Sequence, residues 1–173
     1  PTYKIKKIII HPQYNTSNDN VAYDIAILKL DEKINFLSRT LNGKADCVPR
    51  WNTHDKFDSK RCIAMGWGID RNNKSQTFLQ ETMLPMVLPR ICQFYHYLLN
   101  WKVGFCAGYH KATKYLSSGD SGGPFICPVE INGGLDYKFV LVGINSAADP
   151  RCPSFFVKVN VFELWINQTM NSL

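Results

Sequence analysis

The sequence predicts an all-β barrel or sandwich with a helix at its C-terminal end. A series of short apolar, β-branched runs carries this expectation, with polar turns containing Gly, Pro, Asn or Asp between most of them. The runs are IKKIIIH (5–11), DIAILKL (24–30), RCIAMGWG (61–68), LQETMLPMV (79–87), FCAGY (105–109), PFICPV (124–129), YKFVLVGIN (137–145) and FFVKV (155–159). PQYNTSNDN (12–20) is a polar loop between the first two, and LNGKADCVPRWNTHDKFDSK (41–60) reads as a connector. Two segments depart from the strand pattern. LPRICQFYHYLL (88–99) sets Ile91, Cys92, Tyr95, Leu98 and Leu99 on one face at helical spacing. NVFELWINQTM (160–170) opens on Asn160, a favourable N-cap, and repeats Val161, Leu164 and Trp165 on one stripe.

Composition narrows the class. With 45% hydrophobic and 20% charged residues the chain is ordinary globular material. No apolar run approaches the ~18 residues that cross a bilayer, so no membrane span is expected. The net charge of +6 and pI of 9.0 make the surface basic and admit an anionic glycan as partner. Nucleic acid is not expected, because the basic residues are scattered and KIKK (4–7) is the only tight cluster. There is no initiator Met and no charged-then-apolar leader, so the expectation is a start in mature protein or partway through a longer chain.

Six cysteines stand at 47, 62, 92, 106, 127 and 152, none in a C-x-x-C pair. That spacing offers no zinc site, and an even count on an Asn-rich chain fits disulfides in an oxidising compartment. Three N-x-S/T sequons, at Asn15, Asn73 and Asn167, point the same way. A secreted, extracellular glycoprotein is the expected context.

The chemistry concentrates in SSGDSGGPFIC (117–127). A bare G-x-S-G is most often a solvent-facing turn, but G-D-S-G-G-P specifies six residues in a row. Gly119 and the two glycines after Ser121 permit tight backbone geometry. A turn of that kind can aim consecutive N–H groups at one point, as holding a developing oxyanion requires.

With this motif, the chain resembles the chymotrypsin/trypsin family of serine proteases over its whole length. HPQYN (11–15) with NVAYDIAILKL (20–30) resembles the segment leading to the family's buried acid. MGWG (65–68) resembles the start of its second barrel, LQETMLPMV the following strand, FCAGY the strand before the nucleophile, and VFELWI its closing helix. The resemblance implies two six-stranded antiparallel β-barrels, the first only partly present, and a C-terminal α-helix. It divides the chain into 1–45 (end of the first barrel), 46–60 (connector), 61–159 (second barrel) and 160–173 (helix).

Carried over residue by residue, the resemblance makes Ser121 the nucleophile and the N–H groups of Gly119 and Ser121 the oxyanion hole. Asp24 becomes the buried acid that orients the catalytic base. Asp120 becomes the carboxylate that receives a newly cut N-terminus on activation. Tyr115, Ser118, Ser146, Ala147, Ala148 and Ser154 fall at the substrate pocket and its edge strand. Disulfides Cys62–Cys127 and Cys92–Cys106 follow from the same alignment. Cys47 falls where some members tether a propeptide or light chain. Cys152 is expected to pair four residues before the nucleophile, but Ser117 occupies that place. Loss of a native bridge typically costs ~2–5 kcal/mol, so compensation is expected.

The base itself is not found. His11, His54, His96 and His110 are the chain's histidines, and none stands in the family's Ala-Ala-His-Cys context. The expectation is therefore a C-terminal portion of a serine endopeptidase with its base upstream, acting on peptide or protein substrates through an acyl-enzyme. Alone it is expected to be inactive, since an unactivated serine hydroxyl is a weak nucleophile. No metal or organic cofactor is called for. Tyr115, where trypsin-like members place an aspartate, predicts a non-tryptic preference. The competing class is a catalytically silent homologue that binds a secreted protein or glycan.

Overall fold

The computed structural model describes residues 2–14, 23–36, 47–95, 100–109 and 114–173, so statements below concern those residues. They form two antiparallel sheets. β1 (Ile5–Ile10) and β2 (Ala26–Leu30) make a two-stranded sheet. β3 (Ile63–Gly66), β4 (Gln80–Met83), β5 (Gly104–Ala107), β6 (Pro124–Ile131), β7 (Asp136–Ala147) and β8 (Ser154–Lys158) make a six-stranded one. Its strand order is β4-β3-β6-β7-β8-β5. Every apolar run predicted as a strand contains one, and the mostly-β architecture with a short C-terminal helix is that of the trypsin-like double barrel.

Phe105, Phe125 and Phe156 form the centre of the larger sheet's core, with ring centroids 4.4–5.4 Å apart. Burying one such ring contributes about 1.5–3 kcal/mol, which makes this trio a principal anchor. The disulfides Cys62–Cys127 and Cys92–Cys106 are both formed, the first inside this core and the second beside Phe155. Cys47 and Cys152 carry thiols, exposed and buried respectively, and burial raises the pKa of the latter.

The connector is more firmly held than its polar composition suggests. The N–H of Trp51 donates to the Leu141 carbonyl (2.9 Å), and the N–H of Leu141 to that of Pro49 (2.8 Å). Trp51 and Phe57 meet each other edge to face and pack against the main core. Two aromatic anchors among many polar residues are enough to dock the segment.

Both helices differ in detail from the sequence expectation. α1 covers Pro89–Tyr95 and buries only Cys92, while Ile91 lies exposed; Leu98 and Leu99 lie outside the described residues. The disulfide, rather than an apolar stripe, holds this helix down. The C-terminal segment begins as a 3₁₀ turn over Val159–Phe162, and α2 covers Glu163–Asn171, so Asn160 is not its N-cap. A 3₁₀ turn advances the chain by a different angle from an α-turn and rotates the buried stripe. Val159, Phe162 and Ile166 face the core, and Val161 and Leu164 face solvent.

That stripe joins the two sheets. Ile25 of the first sheet's loop packs with Val103, Val157, Val159, Phe162 and Ile166, and Tyr23 and Trp165 flank them. His11 is enclosed by Tyr23, Phe162 and Trp165 at centroid distances of 5.1, 5.2 and 4.8 Å. Its Nδ1 accepts the Gln13 N–H (3.2 Å), which requires a neutral ring, and burial holds its pKa below the usual 6.5. The unfolded chain therefore binds a proton that the folded chain resists. Stability from this residue is complete above pH ~6.5 and falls as the pH drops below it. Urea midpoints measured from pH 8 to pH 5 should decline, and His11→Phe should flatten that slope.

Candidate active site

The turn after Leu116 is set by backbone geometry. The Asp120 N–H donates to the Ser117 carbonyl (3.0 Å) and the Gly123 N–H to the Asp120 carbonyl (3.0 Å). Gly119 and Gly122 have φ of 96° and 82°, left-handed values that side chains disfavour. Between them Ser121 is lifted to the surface, its Oγ 3.4 Å from the Ser146 carbonyl. The N–H groups of Gly119 and Ser121 donate to no other group among the described residues.

Asp120 turns the other way, into the protein. Its Oδ1 accepts the Gly68 N–H (2.8 Å) and its Oδ2 the Ser117 N–H (2.8 Å). A Cβ on Gly66 would lie 2.1 Å from Oδ1, and one on Gly68 2.6 Å from the same atom. The two glycines of MGWG are thus the space that this carboxylate occupies. Ser117 Oγ donates to the Ile69 carbonyl (2.5 Å), and the Ile69 N–H donates to the Ser118 carbonyl (2.9 Å). The hydroxyl in place of a cysteine ties this turn to the Gly68–Ile69 segment.

Asp24 comes from the segment leading into β2 of the other sheet. Its Oδ2 accepts the Ser146 hydroxyl (2.8 Å). Ser146 is free to reach it because the β7–β8 ladder is irregular between Asn145 and Ala147. A bulge of this kind leaves one residue unpaired and re-aims its side chain. Asp24 and Ser121 line one open cleft of about 470 Å³, walled by Ile8, Ile10, Leu28 and Ile144.

Asp24 and the exposed Ser121 share this cleft, and sequence comparison says to which family the chain belongs. The family model described as Trypsin matches residues 1–166. The chain belongs to the trypsin family of serine proteases. Its relatives include human Transmembrane protease serine 5, 34% identical over 95% of this chain and 35% of that protein. Clotting factor C of Tachypleus tridentatus is 30% identical over 94% of this chain and 16% of its own length. Chymotrypsin-like elastase family member 1 of the dog is 31% identical over 97% and 64%. The chain therefore spans less than two thirds of each of these relatives.

Against the trypsin-family expectation several residues sit differently. Asp24 is half-buried rather than buried, because the described part of its sheet has two strands and covers it from one side. Ser118, Ser146, Ala147 and Ala148 line a cleft of about 120 Å³ beside Ser121, as do Leu116 and Asn145. Tyr115 does not line that cleft; it borders a separate cavity of about 240 Å³ next to Asp120. Ser154 is fully buried, its Oγ accepting the Leu116 N–H (3.3 Å). Of the sequons, Asn73 is exposed at the tip of the 70–74 turn with φ 57°, and Asn167 is exposed on α2 with its Oδ1 accepting from Arg50 (2.8 Å). Asn15, His96 and His110 lie outside the described residues. Neither His11 nor His54 hydrogen-bonds to Asp24 or Ser121 among the described residues.

Sequence reasoning missed Asn145, which is 1% exposed and whose side chain bonds to the Asp120 carbonyl. A buried Asn with an unpaired Oδ1, as here, costs about 1–3 kcal/mol and is unexpected in the apolar run YKFVLVGIN. The polar residue within that run was the available signal. For Asp120 the consequence of the packing is testable directly. Gly66→Ala should displace the carboxylate from Gly68 N–H and destabilise the fold by about 1–3 kcal/mol, measured by urea unfolding.

Proposed function

We propose that this chain is the nucleophile-bearing part of a secreted serine endopeptidase that hydrolyses peptide bonds through an acyl-enzyme. The observation that carries the reading is the GDSGGP turn, which presents Ser121 at a cleft shared with Asp24, while the Gly119 and Ser121 N–H groups make no hydrogen bond among the described residues. In this reading residues 1–45 end the first barrel, 46–60 connect, 61–159 form the nucleophile's barrel and 160–173 close the domain.

Ser121 Oγ attacks the substrate carbonyl carbon, and the oxyanion that forms is received by the N–H groups of Gly119 and Ser121. The proton leaves Ser121 for an imidazole contributed from outside these 173 residues, oriented by Asp24, and passes to the departing amine. Water then hydrolyses the ester by the same route in reverse. Asp120 serves as the carboxylate that an activated N-terminus would reach, in the cavity beside Tyr115.

An extended substrate pairs with the Ser146–Ala148 edge, a form of strand addition. Its side chain enters a cleft of about 120 Å³ lined by serines, alanines, Leu116 and Asn145, with no acidic residue among the described ones, which favours a small uncharged group over Lys or Arg. Asn73 and Asn167 are the exposed candidates for glycosylation, and Cys47 is the exposed candidate for a covalent tether to a propeptide or light chain. The basic surface fits an anionic glycan. A catalytically silent binding protein is the alternative that the test must separate.

The complete gene product, once activated, should be labelled by a fluorophosphonate at Ser121, and Ser121→Ala should abolish labelling. The 173-residue chain alone should label at least about a hundredfold more slowly, in keeping with loss of general-base assistance. An unlabelled complete protein would leave the binding role in possession.

A further inference from the structure

Asn145 stands on β7 next to the bulged Ser146, and its side chain points to the opposite side from the one that meets Asp24. Its carboxamide Nδ2 has two protons, and each has an acceptor: the Met65 carbonyl at 3.1 Å and the Asp120 carbonyl at 3.0 Å. Met65 belongs to β3 and Asp120 to the serine turn, so one NH₂ group joins two segments whose carbonyl oxygens face each other. The backbone of the same residue holds the other half of the turn. The Asn145 carbonyl accepts the Gly122 N–H (2.8 Å), and the Asn145 N–H donates to the Gly123 carbonyl (2.9 Å). One residue thus touches 120, 122 and 123, on both sides of Ser121.

Gly123 supplies an independent measure of how tightly this is built. A Cβ on Gly123 would lie 2.5 Å from the Met65 oxygen, 2.8 Å from Asn145 Nδ2 and 2.9 Å from the Asp120 oxygen. All three atoms of the clamp converge on the space that glycine leaves open. Asn145 Oδ1, by contrast, is buried without a partner. An apolar side chain would avoid that penalty but would leave two buried carbonyls facing each other without the shared donor.

We infer that Asn145 is a positioning residue for Ser121: its carboxamide clamps the Asp120 carbonyl to Met65 and so fixes the turn that presents the nucleophile and the Gly119 and Ser121 N–H groups. The inference rests on the endopeptidase reading above. It assigns Asn145 no contact with the reacting atoms. Its effect is to keep the serine turn ready for the transition state, so it belongs in kcat rather than in KM.

The test uses the activated complete protein with Asn145→Val and Asn145→Thr, two side chains of matching shape of which only Thr keeps a donor. Asn145→Val should lower kcat about tenfold with KM little changed, and should weaken a peptide boronate, which mimics the tetrahedral state, by a similar factor. Asn145→Thr should fall between Val and wild type. Equal kcat and boronate affinity in all three proteins would overturn the inference, as would a loss confined to KM. Should the Val protein fail to fold, the isosteric Asn145→Asp carries the comparison. Its kcat relative to wild type should climb as the pH falls and its carboxyl gains a proton to donate. Asp120 and Asp24, the carboxylates nearest this residue, are present in both proteins, and the Asn145→Asp ratio is read against wild type at each pH; a flat ratio would refute the clamp. A wild-type protein inert to fluorophosphonate would instead remove the endopeptidase reading and the catalytic role of the clamp with it. Labelled wild type with an unaffected Asn145→Val would remove the clamp alone.

Discussion

The Asp120 carboxylate accepts backbone N–H groups from Gly68 and Ser117, two segments of which one is 52 residues away, and the site is arranged round the need to house it. A half-buried carboxylate is stable only where its oxygens receive donors, and charge-assisted bonds to N–H groups are among the stronger ones available. Room for it comes from Gly66 and Gly68, on which any Cβ would overlap its oxygens. With the side chain turned inward, the next residue is turned outward, and Ser121 reaches the surface as the other end of the same constraint. Ser117 adds a hydroxyl bond to Ile69, so the turn is secured from the Gly68–Ile69 side. Ser117 holds its place by hydrogen bonds alone, its N–H donating to Asp120 and its hydroxyl to Ile69.

β7 serves both halves of the site because its regularity is interrupted. One irregularity lies opposite Phe125 and Ile126, and a second, between Asn145 and Ala147, releases Ser146. Ser146 reaches Asp24 in one direction while its carbonyl meets Ser121. Asn145 points inward under the serine turn. The helix α2 and the preceding 3₁₀ turn then bring the two-stranded sheet, and Asp24 with it, against β7 and β8 through Phe162 and Ile166. Membership of the trypsin family accounts for the ingredients, while these contacts account for their assembly.

Much of this could be read in the residues. Strands were visible because their apolar, β-branched runs are bounded by turn formers, and GDSGGP was visible because glycine at three positions restricts what the turn can be. The helix stripe was misjudged because periodicity presupposes α geometry, and a 3₁₀ turn at Val159–Phe162 rotates Val161 and Leu164 outward. The connector looked loose because two aromatic anchors, Trp51 and Phe57, are diluted among polar neighbours. The family resemblance put Tyr115 at the substrate pocket, yet it borders the cavity beside Asp120 and does not line the cleft next to Ser121. A matching position in a motif does not by itself say which side of a wall a side chain meets.

The sequence by itself determined the family, the strand content and the serine turn, because these depend on local motifs and on short runs whose meaning survives without their partners. Only the tertiary structure decided what MGWG makes room for, where Ser117 sends its hydroxyl, and that a buried Asn bonds to the serine turn. Each of those is a contact between residues far apart in the chain: 25 positions separate Asn145 from Asp120, and 80 separate it from Met65. A carboxamide's two protons show no preference until folding brings two carbonyls within reach. That pairing is a property of packing, not of any stretch of sequence.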